Sequence, residues 1–325
     1  MASLQTTSVP HCYLCGSQGT SLHTDLIDHL FGVEGDWQLK ICENAACQLV
    51  WLDPMPTLED LPKAYQNYYT HQGVDTAATQ SMLRTVDFFA YQKFCRLFFK
   101  LTGMQKQRIQ KNFLFLQKET PGRLLDVGCG AGHLLNRIRQ LGWEVEGIDF
   151  DENAVEQAKK LYQLKAQTGD LKTIAYPDNS FDVITLKHVV EHLPEPVKLL
   201  QECYRILKTG GRLIMTTPNI QSWGHQRFQH YWRGLEPPRH LFLYNCHTLA
   251  EVTKKAGFTQ IDTRTTSASA EYTFARSMDI QRKCTGKKLN QLRFFSRTWL
   301  WEYYEHRLLK RHPNLGEEII LIAKK

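Results

Sequence analysis

The chain lacks any apolar run of the roughly 20 residues that a membrane-spanning helix needs, and no opening segment joins a basic stretch to an apolar core. Its 325 residues, 42% of them hydrophobic, suit a globular protein with one large domain and one small one. Without a secretory signal, its nine cysteines favour reduced thiols and metal ligands over disulfides. We therefore expect a cytoplasmic globular protein.

Basic side chains are scarce at the amino terminus, where residues 1–72 contain two basic and eight acidic side chains, a net charge of −6. Residues 73–118 carry eight basic and two acidic side chains (+6), and residues 272–325 carry twelve and five (+7). We predict a small module over 1–72, a helical linker or lid over 73–118, and a main domain over 119–325. A helical insertion is expected at about 272–312.

Strand-like and helical patterns alternate through the main domain. Apolar Leu124, Leu125 and Val127 form a short strand-like run that ends at glycines, and helical spacing follows until Gly142. The segments "EVEGID", "FDVITLK" and "GRLIMTTP" then predict further strands, separated by the helical patterns "NAVEQAKKLY" and "PVKLLQECYRIL". This alternation predicts a parallel β-sheet covered by helices on both faces.

Three glycines stand at the turn between the first strand and its helix, in "LLDVGCGAGHLL". Gly128, Gly130 and Gly132 would let the backbone approach a ligand that bulky side chains would exclude. Asp149 ends the next strand, 21 residues after Gly128, where a carboxylate can accept hydrogen bonds from a ribose. The spacing Gly-x-Gly-x-Gly lacks the later glycine of the dinucleotide fingerprint, which argues against hydride transfer. The pattern predicts a nucleoside-containing cofactor.

The stretch from Gly122 to Asn219 resembles the class I S-adenosylmethionine (SAM) dependent methyltransferases, in "LLDVGCGAGHLL", "GIDFDENAVEQA", "GDLKTIAYPDNSFDVITLKHVVEHLPEP" and "LLQECYRILKTGGRLIMTTPN". The resemblance implies a Rossmann-like, doubly wound seven-stranded α/β sheet whose last, antiparallel strand is "EEIILIAKK". It also implies SAM as cofactor, with the three glycines near the methionine part, Asp149 at the ribose, and Phe150 and Asp170 at the adenine. The remaining residues that it places at the cofactor are Asp126, Cys129, Leu171, Lys187 and His188. An Asn/Asp-Pro-Pro-aromatic run, typical of enzymes that methylate base amino groups, is absent after the fourth strand.

Four cysteines in the first 47 residues are spaced as two pairs. Cys12 and Cys15 are separated by two residues, and Cys42 and Cys47 by four. Four thiolates suit tetrahedral Zn²⁺ with no open position, so we predict a structural zinc site in a ribbon-like module. The alternative is a set of buried cysteines without metal. The module's acidity argues against a nucleic-acid partner, because it would repel phosphates.

The segment "KHVVEH" follows the fourth strand of the main domain, where the transferred methyl group is expected. His188 would lie near that methyl group, and Glu191 and His192 follow three and four residues later. A related group of quinone-ring methyltransferases binds a metal through Glu-x-x-Glu-His at these positions, where this chain has His188 in place of the first glutamate. A bound divalent metal or a histidine base is one interpretation, and packing and hydrogen bonding are the other. His188 would contact SAM or the acceptor in either case.

The segment after the fifth strand, "SWGHQRFQHYWRGLEPPRHLFLYN", is rich in histidine, arginine and aromatic residues. We predict that it is too irregular for a core strand and that it contributes to specificity, with a functional role for at least one of His230, Arg239 and His240.

The two basic segments mix aromatic and basic residues at helical spacing. We expect amphipathic helices that either pack on the sheet edge and on each other or face an anionic membrane or substrate. Taken together, the sequence predicts a SAM-dependent methyltransferase that acts on a small-molecule acceptor, with sugar, glycan or lipid-like compounds ahead of others. The alternatives are an RNA methyltransferase that uses the zinc module, and a SAM-binding scaffold protein without catalysis.

Overall fold

The computed structural model describes residues 4–65, 97–286 and 291–325, with the side chains of 291–297 left out of the description. The predicted boundary at residue 72, most of the predicted lid over 73–118, and residues 287–290 of the predicted insertion lie outside these ranges. Within them, no helix is both long enough and apolar enough to cross a membrane.

The described residues form thirteen strands and nine α-helices with complete bounds. The strands are β1 Thr6–Thr7, β2 Gly19–Leu26, β3 Trp37–Cys42, β4 Val50–Leu52, β5 Met55–Pro56, β6 Arg123–Val127, β7 Glu144–Asp149, β8 Lys165–Thr168, β9 Phe181–Lys187, β10 Leu207–Pro218, β11 Phe242–Leu243, β12 Gln260–Thr266 and β13 Glu318–Lys324. The helices are α1 Met104–Asn112, α2 His133–Arg139, α3 Glu152–Tyr162, α4 Leu171–Ile174, α5 Pro196–Ile206, α6 Trp223–Phe228, α7 Cys246–Lys255, α8 Ala270–Thr285 and α9 Gln291–Leu308. Three 3₁₀ turns add Leu61–Tyr65, Val190–His192 and Gln229–Tyr231.

The main domain is built on a seven-stranded sheet in the order β12-β13-β10-β9-β6-β7-β8. Strands β8, β7, β6, β9 and β10 run parallel, and β13 runs antiparallel between β10 and β12, with Ile320 opposite Thr216 and Arg264. This confirms the predicted Rossmann-like sheet and its antiparallel last strand. The parallel arrangement gathers the carboxyl ends of β6, β7, β9 and β10 at one edge of the sheet, where ligands of such folds bind.

Local sequence explains why these elements form where they do. The strand β6 is buried on both faces, with Leu124 and Leu125 fully shielded from solvent. Asp151 caps α3 by accepting hydrogen bonds from the backbone N–H groups of Asn153 and Ala154. Pro196 begins α5, where its missing N–H has no cost.

The amino-terminal residues form a four-stranded antiparallel sheet in the order β11-β4-β3-β2. Its edge strand β11 comes from the segment that the sequence predicts as an irregular loop, and Phe242 pairs with Trp51. The segment also contains α6, so it is more regular than predicted. The physical reason is that every residue from Leu241 to Tyr244 is buried. The amino-terminal module is therefore joined to the main domain by backbone pairing as well as by a shared buried core.

The described parts of the two basic segments pack against each other. Arg108 of α1 donates from Nε to Glu302 Oε1 of α9 over 2.9 Å, and Arg108 also pairs with Glu271 of α8. Glu302 is fully buried, so the pair fastens α1 to the carboxyl-terminal helices. This contact favours the interpretation in which the basic helices pack on one another.

Candidate active site

The glycine turn after β6 has the backbone conformation that the sequence predicts. Gly128 and Gly130 have φ angles of +75° and +52°, which side chains rarely adopt. The Gly128 N–H donates to the Ile148 carbonyl over 2.8 Å, which ties the turn to β7, and a Cβ on Gly128 would overlap Val189. By contrast, a Cβ on Gly130 would meet no atom within 4 Å. Open space therefore lies in front of the backbone at Gly130, as a ligand site requires.

Asp149 is held beside this turn. Its Oδ2 accepts the Gly130 N–H over 2.7 Å, and its Oδ1 accepts the Asp151 N–H over 3.0 Å. Burial raises the pKa of the Asp149 carboxyl. Each oxygen keeps a second lone pair, so the carboxylate can still accept from a ligand hydroxyl. The structure thus brings Gly130 and Asp149 together as expected of a ribose site.

Among the other residues predicted to contact the cofactor, some have side chains that a ligand could reach and others have buried side chains. The ring of Phe150 is 65% exposed, which suits a stacking role. Asp170 caps α4, because its carboxylate accepts from the Thr173 N–H over 2.7 Å. The side chains of Cys129 and Leu171 are buried, so only their backbone groups could meet a cofactor.

Asp126 and Lys187 lie near the carboxyl ends of neighbouring strands. Asp126 is buried against the hydroxyl of Thr185 on β9, and burial raises its pKa to about 7. Lys187 is exposed at the end of β9. We therefore find charge available for a ligand at Lys187, while Asp126 belongs to the interior.

A cavity of about 350 Å³ lies at the same edge of the sheet. It is lined by the ends of β9 and β10, the start of β13, the segment 232–240 and the first turn of α8. The lining includes nine lysine, arginine, histidine and glutamate side chains: Lys111, Lys187, His188, His192, Arg233, Glu236, His240, Glu317 and Glu318. Its position and chemistry are those of a site for a small polar molecule.

His188 is held between two carboxylates. Its Nδ1 lies 3.3 Å from Glu191 Oε1, and its Nε2 lies 3.1 Å from Glu318 Oε1. Although desolvation opposes the charged form, the two carboxylates raise the pKa of His188 to about 9. Both ring nitrogens therefore donate at neutral pH, and His188 is a cation. This geometry does not support the predicted histidine base at His188.

In His192 and His240, Nδ1 faces a backbone carbonyl oxygen instead of a carboxylate. His192 Nδ1 lies 3.0 Å from the Arg239 carbonyl oxygen, and His240 Nδ1 lies 2.7 Å from the Gly234 carbonyl oxygen. A carbonyl oxygen only accepts, so each Nδ1 carries a hydrogen, and Nε2 is the nitrogen that keeps a lone pair when the ring is neutral. Burial lowers the pKa of His240 to about 4, which makes His240 neutral and only weakly basic.

Glu191 lies beside these two histidines. Its side chain is fully buried and its Oε2 has no partner among the described residues. One ligand atom each from Glu191, His192 and His240 lies within 4.8 Å of the others. Two imidazoles and a carboxylate are a donor set that Zn²⁺ and other divalent transition metals accept. The structure thus adds His240 to the pair that the sequence indicates as candidate metal ligands.

Arg239 and His230, both predicted to be functional, lie outside the cavity lining. The Arg239 guanidinium is fully buried and makes two hydrogen bonds to Asp28, at 2.9 and 2.8 Å, and one to Glu236 at 3.1 Å. His230 is exposed in a 3₁₀ turn beside a separate crevice near Asp28. Direct contact with an acceptor in this cavity is thus not supported for either residue. Arg239 instead fastens the amino-terminal module to the segment that lines the cavity.

Comparison with known families identifies the central part of the chain. Residues 102–263, about half of the chain, match the family model described as "Methyltransferase domain". These residues form a methyltransferase domain. The match covers the glycine turn, Asp149 and most of the segments that line the cavity.

The chain is similar to several curated methyltransferases over part of their length. It is 31% identical over 141 residues to a probable S-adenosylmethionine-dependent methyltransferase of Mycolicibacterium smegmatis, covering 43% of this chain and 53% of the relative. It is 36% identical over 105 residues to a ubiquinone biosynthesis O-methyltransferase of Albidiferax ferrireducens, covering 30% and 41%. The chain thus spans about half the length of these relatives or less. A SAM-dependent methyltransferase structure from Archaeoglobus fulgidus is also similar, at 20% identity, a TM-score of 0.47, and coverage of 70% of this chain and 98% of that one.

The four predicted zinc ligands lie together in the amino-terminal module, next to the methyltransferase domain. Cys12 Sγ is 3.7 Å from Cys47 Sγ, Cys15 Sγ is 3.4 Å from Cys42 Sγ, and all four sulfurs lie within 4.8 Å of one another. Tetrahedral zinc with bonds of about 2.3 Å to sulfur would place its ligand sulfurs about 3.8 Å apart. The donor set and its spacing therefore fit a structural zinc ion.

The site residues that the sequence analysis does not name include Lys111, Tyr65 and Glu318. Lys111 and His188 both pair with Glu318 at the start of β13. The two consecutive glutamates directly before the apolar run Ile319–Ala323, in "GEEIILI", are the signal that could have indicated Glu318. The Tyr65 hydroxyl oxygen lies 3.0 Å from His192 Nδ1, and nothing in the local sequence of Tyr65 distinguishes it from the tyrosines that follow.

Proposed function

We propose that this protein is a SAM-dependent methyltransferase that methylates a small-molecule acceptor in the 350 Å³ cavity. The observation that carries the proposal is the position of residues 187–192. Val189 packs against the glycine turn at Gly128, while Lys187, His188 and His192 line the cavity. One short segment thus separates the proposed cofactor site from the proposed acceptor site.

Gly130 and Asp149 would hold the cofactor, with Phe150 and Asp170 toward the adenine. SAM supplies a methyl group already activated on a sulfonium, so the protein's main task is alignment of the acceptor. A hydroxyl acceptor also needs a base, and His192 is our choice because its Nδ1 faces the Arg239 carbonyl, which leaves Nε2 as the ring nitrogen that would accept a proton. His188 would contribute positive charge at the cavity wall, and His240 a neutral ring 4.7 Å from that of His192.

The support for a particular class of acceptor is less specific than the support for methyl transfer. Both curated relatives are methyltransferases by name, and one is an O-methyltransferase, which favours an oxygen acceptor. The mixture of lysine, histidine and glutamate on the cavity wall suits a polar compound. We retain a sugar, glycan or lipid-like acceptor as the proposal from the sequence.

The first test is native mass spectrometry of the purified chain with and without added SAM, followed by transfer of labelled methyl groups to fractionated small molecules. We expect a one-to-one SAM complex and at least one labelled product. His192→Gln should retain SAM binding and lose at least tenfold in transfer rate, whereas His312→Gln, an exposed matched control, should lose neither. A folded protein that binds no SAM would end the proposal and favour the scaffold alternative.

A second candidate role for the cavity wall is metal binding by Glu191, His192 and His240. A divalent cation there would polarise an acceptor hydroxyl and lower its pKa. Metal analysis distinguishes the two roles. A second equivalent of metal that is lost in His240→Ala but kept in His230→Ala would support a cation, and one equivalent in every variant would support the metal-free base.

We also propose a structural zinc ion on Cys12, Cys15, Cys42 and Cys47. The RNA alternative would be supported by tight RNA binding that weakens steeply with salt, and the absence of such binding at low salt would exclude it. Contact of the basic helices with an anionic membrane stays a proposal that sedimentation with anionic liposomes tests.

A further inference from the structure

The amino-terminal module contributes one residue that reaches both proposed sites. Tyr65 ends the 3₁₀ turn Leu61–Tyr65 and is 8% exposed. Its ring centroid lies 5.3 Å from that of Phe150, in an edge-to-face arrangement at 72°. Its hydroxyl oxygen lies 3.0 Å from His192 Nδ1. We propose that Tyr65 is a positioning residue that orients Phe150 for the cofactor and His192 for the acceptor. This inference rests on the proposed function for the roles of those two residues.

The contact with His192 bears on the chemistry of its ring. His192 Nδ1 lies 3.0 Å from the Arg239 carbonyl oxygen as well as 3.0 Å from the Tyr65 hydroxyl oxygen. Because the carbonyl can only accept, the Nδ1 hydrogen is shared between two oxygens. Two oxygens on this side hold the Nδ1 hydrogen and fix the direction in which the ring presents Nε2. Removal of the Tyr65 hydroxyl leaves the Arg239 carbonyl to hold the hydrogen on Nδ1 and allows the ring to turn.

The contact with Phe150 bears on the cofactor. Phe150 follows Asp149 directly and is 65% exposed, so one part of its ring packs on Tyr65 while much of the rest faces solvent. Edge-to-face packing of this kind favours one ring orientation. Tyr65 therefore holds the exposed ring in place before a ligand arrives.

Tyr65 is itself fixed by the main domain. The Arg239 guanidinium donates to the Ala64 carbonyl over 3.3 Å, and it also pairs with Asp28 in the loop after β2. The guanidinium is shielded on one side by Phe31, whose ring centroid lies 4.4 Å from the Arg239 Cζ. Arg239 thus anchors two parts of the amino-terminal module, and one of them is the peptide that presents Tyr65. Arg239, which the sequence predicts to be functional, would therefore act indirectly, by holding Tyr65 in place.

The experiment uses the full chain with Tyr65→Phe and Tyr65→Ala, and Tyr162→Phe as the matched control. Tyr162 makes the same kind of contact, with its hydroxyl 2.7 Å from His133 Nδ1, on an exposed surface. S-adenosylhomocysteine is the probe for the cofactor site, with its Kd measured by calorimetry. The ring nitrogens of His192 are followed by ¹⁵N NMR in protein labelled at histidine, and the His192→Gln spectrum identifies them.

We expect Tyr65→Phe to keep the S-adenosylhomocysteine Kd within about twofold, because the ring contact survives. The ¹⁵N resonance of His192 Nδ1 should move, because its hydrogen loses one of the two oxygens that hold it. Tyr65→Ala should raise the Kd about fivefold through the loss of ring packing. Tyr162→Phe should change neither measurement.

If the ¹⁵N resonances of His192 do not change in Tyr65→Phe, Tyr65 does not orient His192. If folded Tyr65→Ala binds S-adenosylhomocysteine with the wild-type Kd, Tyr65 does not orient Phe150 for the cofactor. If Tyr65→Ala does not fold, Tyr65→Phe still decides the role of the hydroxyl. Failure of the wild-type chain to bind S-adenosylhomocysteine would instead refute the proposed function, which separates the two failures.

Discussion

Substitution of Gly130 by alanine separates the cost of backbone strain from the cost to ligand binding. Gly130 has φ +52°, and left-handed backbone costs a non-glycine residue about 1–2 kcal/mol. A Cβ would meet no protein atom within 4 Å, so no steric clash with the protein adds to this strain. The same Cβ would occupy the space through which a ligand approaches. We expect Gly130→Ala to lose about 1–2 kcal/mol in unfolding free energy and more than tenfold in affinity for S-adenosylhomocysteine.

Gly210→Ala is the matched control for this prediction. Gly210 has φ +76°, and a Cβ at this position would also meet no atom within 4 Å, but Gly210 lies in the turn that begins the long strand β10, at the end away from Pro218. Chemical denaturation should therefore show a similar loss of stability for both variants, while calorimetry should show weakened binding only for Gly130→Ala. Equal affinity in the two variants would refute the assignment of the glycine turn to the cofactor.

Three further predictions concern charge and metal. The pKa of His188 is raised to about 9, above its ordinary value of 6.5, so its protonated form stabilises the fold below about pH 6.5 and this contribution is lost as pH rises through about 9. The melting temperature of His188→Gln should accordingly fall furthest below wild type near pH 6 and approach wild type near pH 10; a constant difference would contradict the charged ring. Elemental analysis should show that Cys42→Ala loses one zinc per chain. Cys284→Ala, which removes an exposed thiol, should keep that zinc. Equal zinc contents in the two variants would exclude the four-cysteine site. Arg239→Met leaves buried carboxylates without their cation and should cost about 3–5 kcal/mol of unfolding free energy, against less than about 1 kcal/mol for Lys198→Met at the surface; similar costs would contradict the buried network.

The sheet could be predicted from sequence because each strand is specified locally. The apolar residues of the two strands are buried, and glycine or polar turns bound both strands; these residues are Leu124, Leu125, Val127, Phe181, Val183, Ile184 and Leu186. The glycine turn and Asp149 could also be predicted from local sequence. The turn needs glycine because its φ angles are positive, and Asp149 ends the strand that lies beside the turn. The antiparallel direction of β13 came only from the family resemblance.

The cavity wall was harder to predict because its properties depend on pairs of residues far apart in sequence. His188 is a cation because Glu318, 130 residues later, faces one of its nitrogens. Arg239 is structural because Asp28, 211 residues earlier, meets its guanidinium. Spacing along the chain carries no signal for such pairs. Histidine-rich segments can therefore be recognised from sequence, whereas the protonation state of each ring cannot.

The amino-terminal module has a structural relationship to the methyltransferase domain that its cysteine pattern does not reveal. A separate nucleic-acid reader would keep its sheet and charged groups free for a partner, but here β4 pairs with β11 and Asp28 is buried against Arg239. Removal of one partner of such a buried pair leaves an uncompensated charge, so the module and the domain depend on each other for stability. The same arginine also bonds the Ala64 carbonyl next to Tyr65, which lies on His192. A metal that stabilises the module would therefore also stabilise one wall of the proposed active site, and this role requires no nucleic-acid partner.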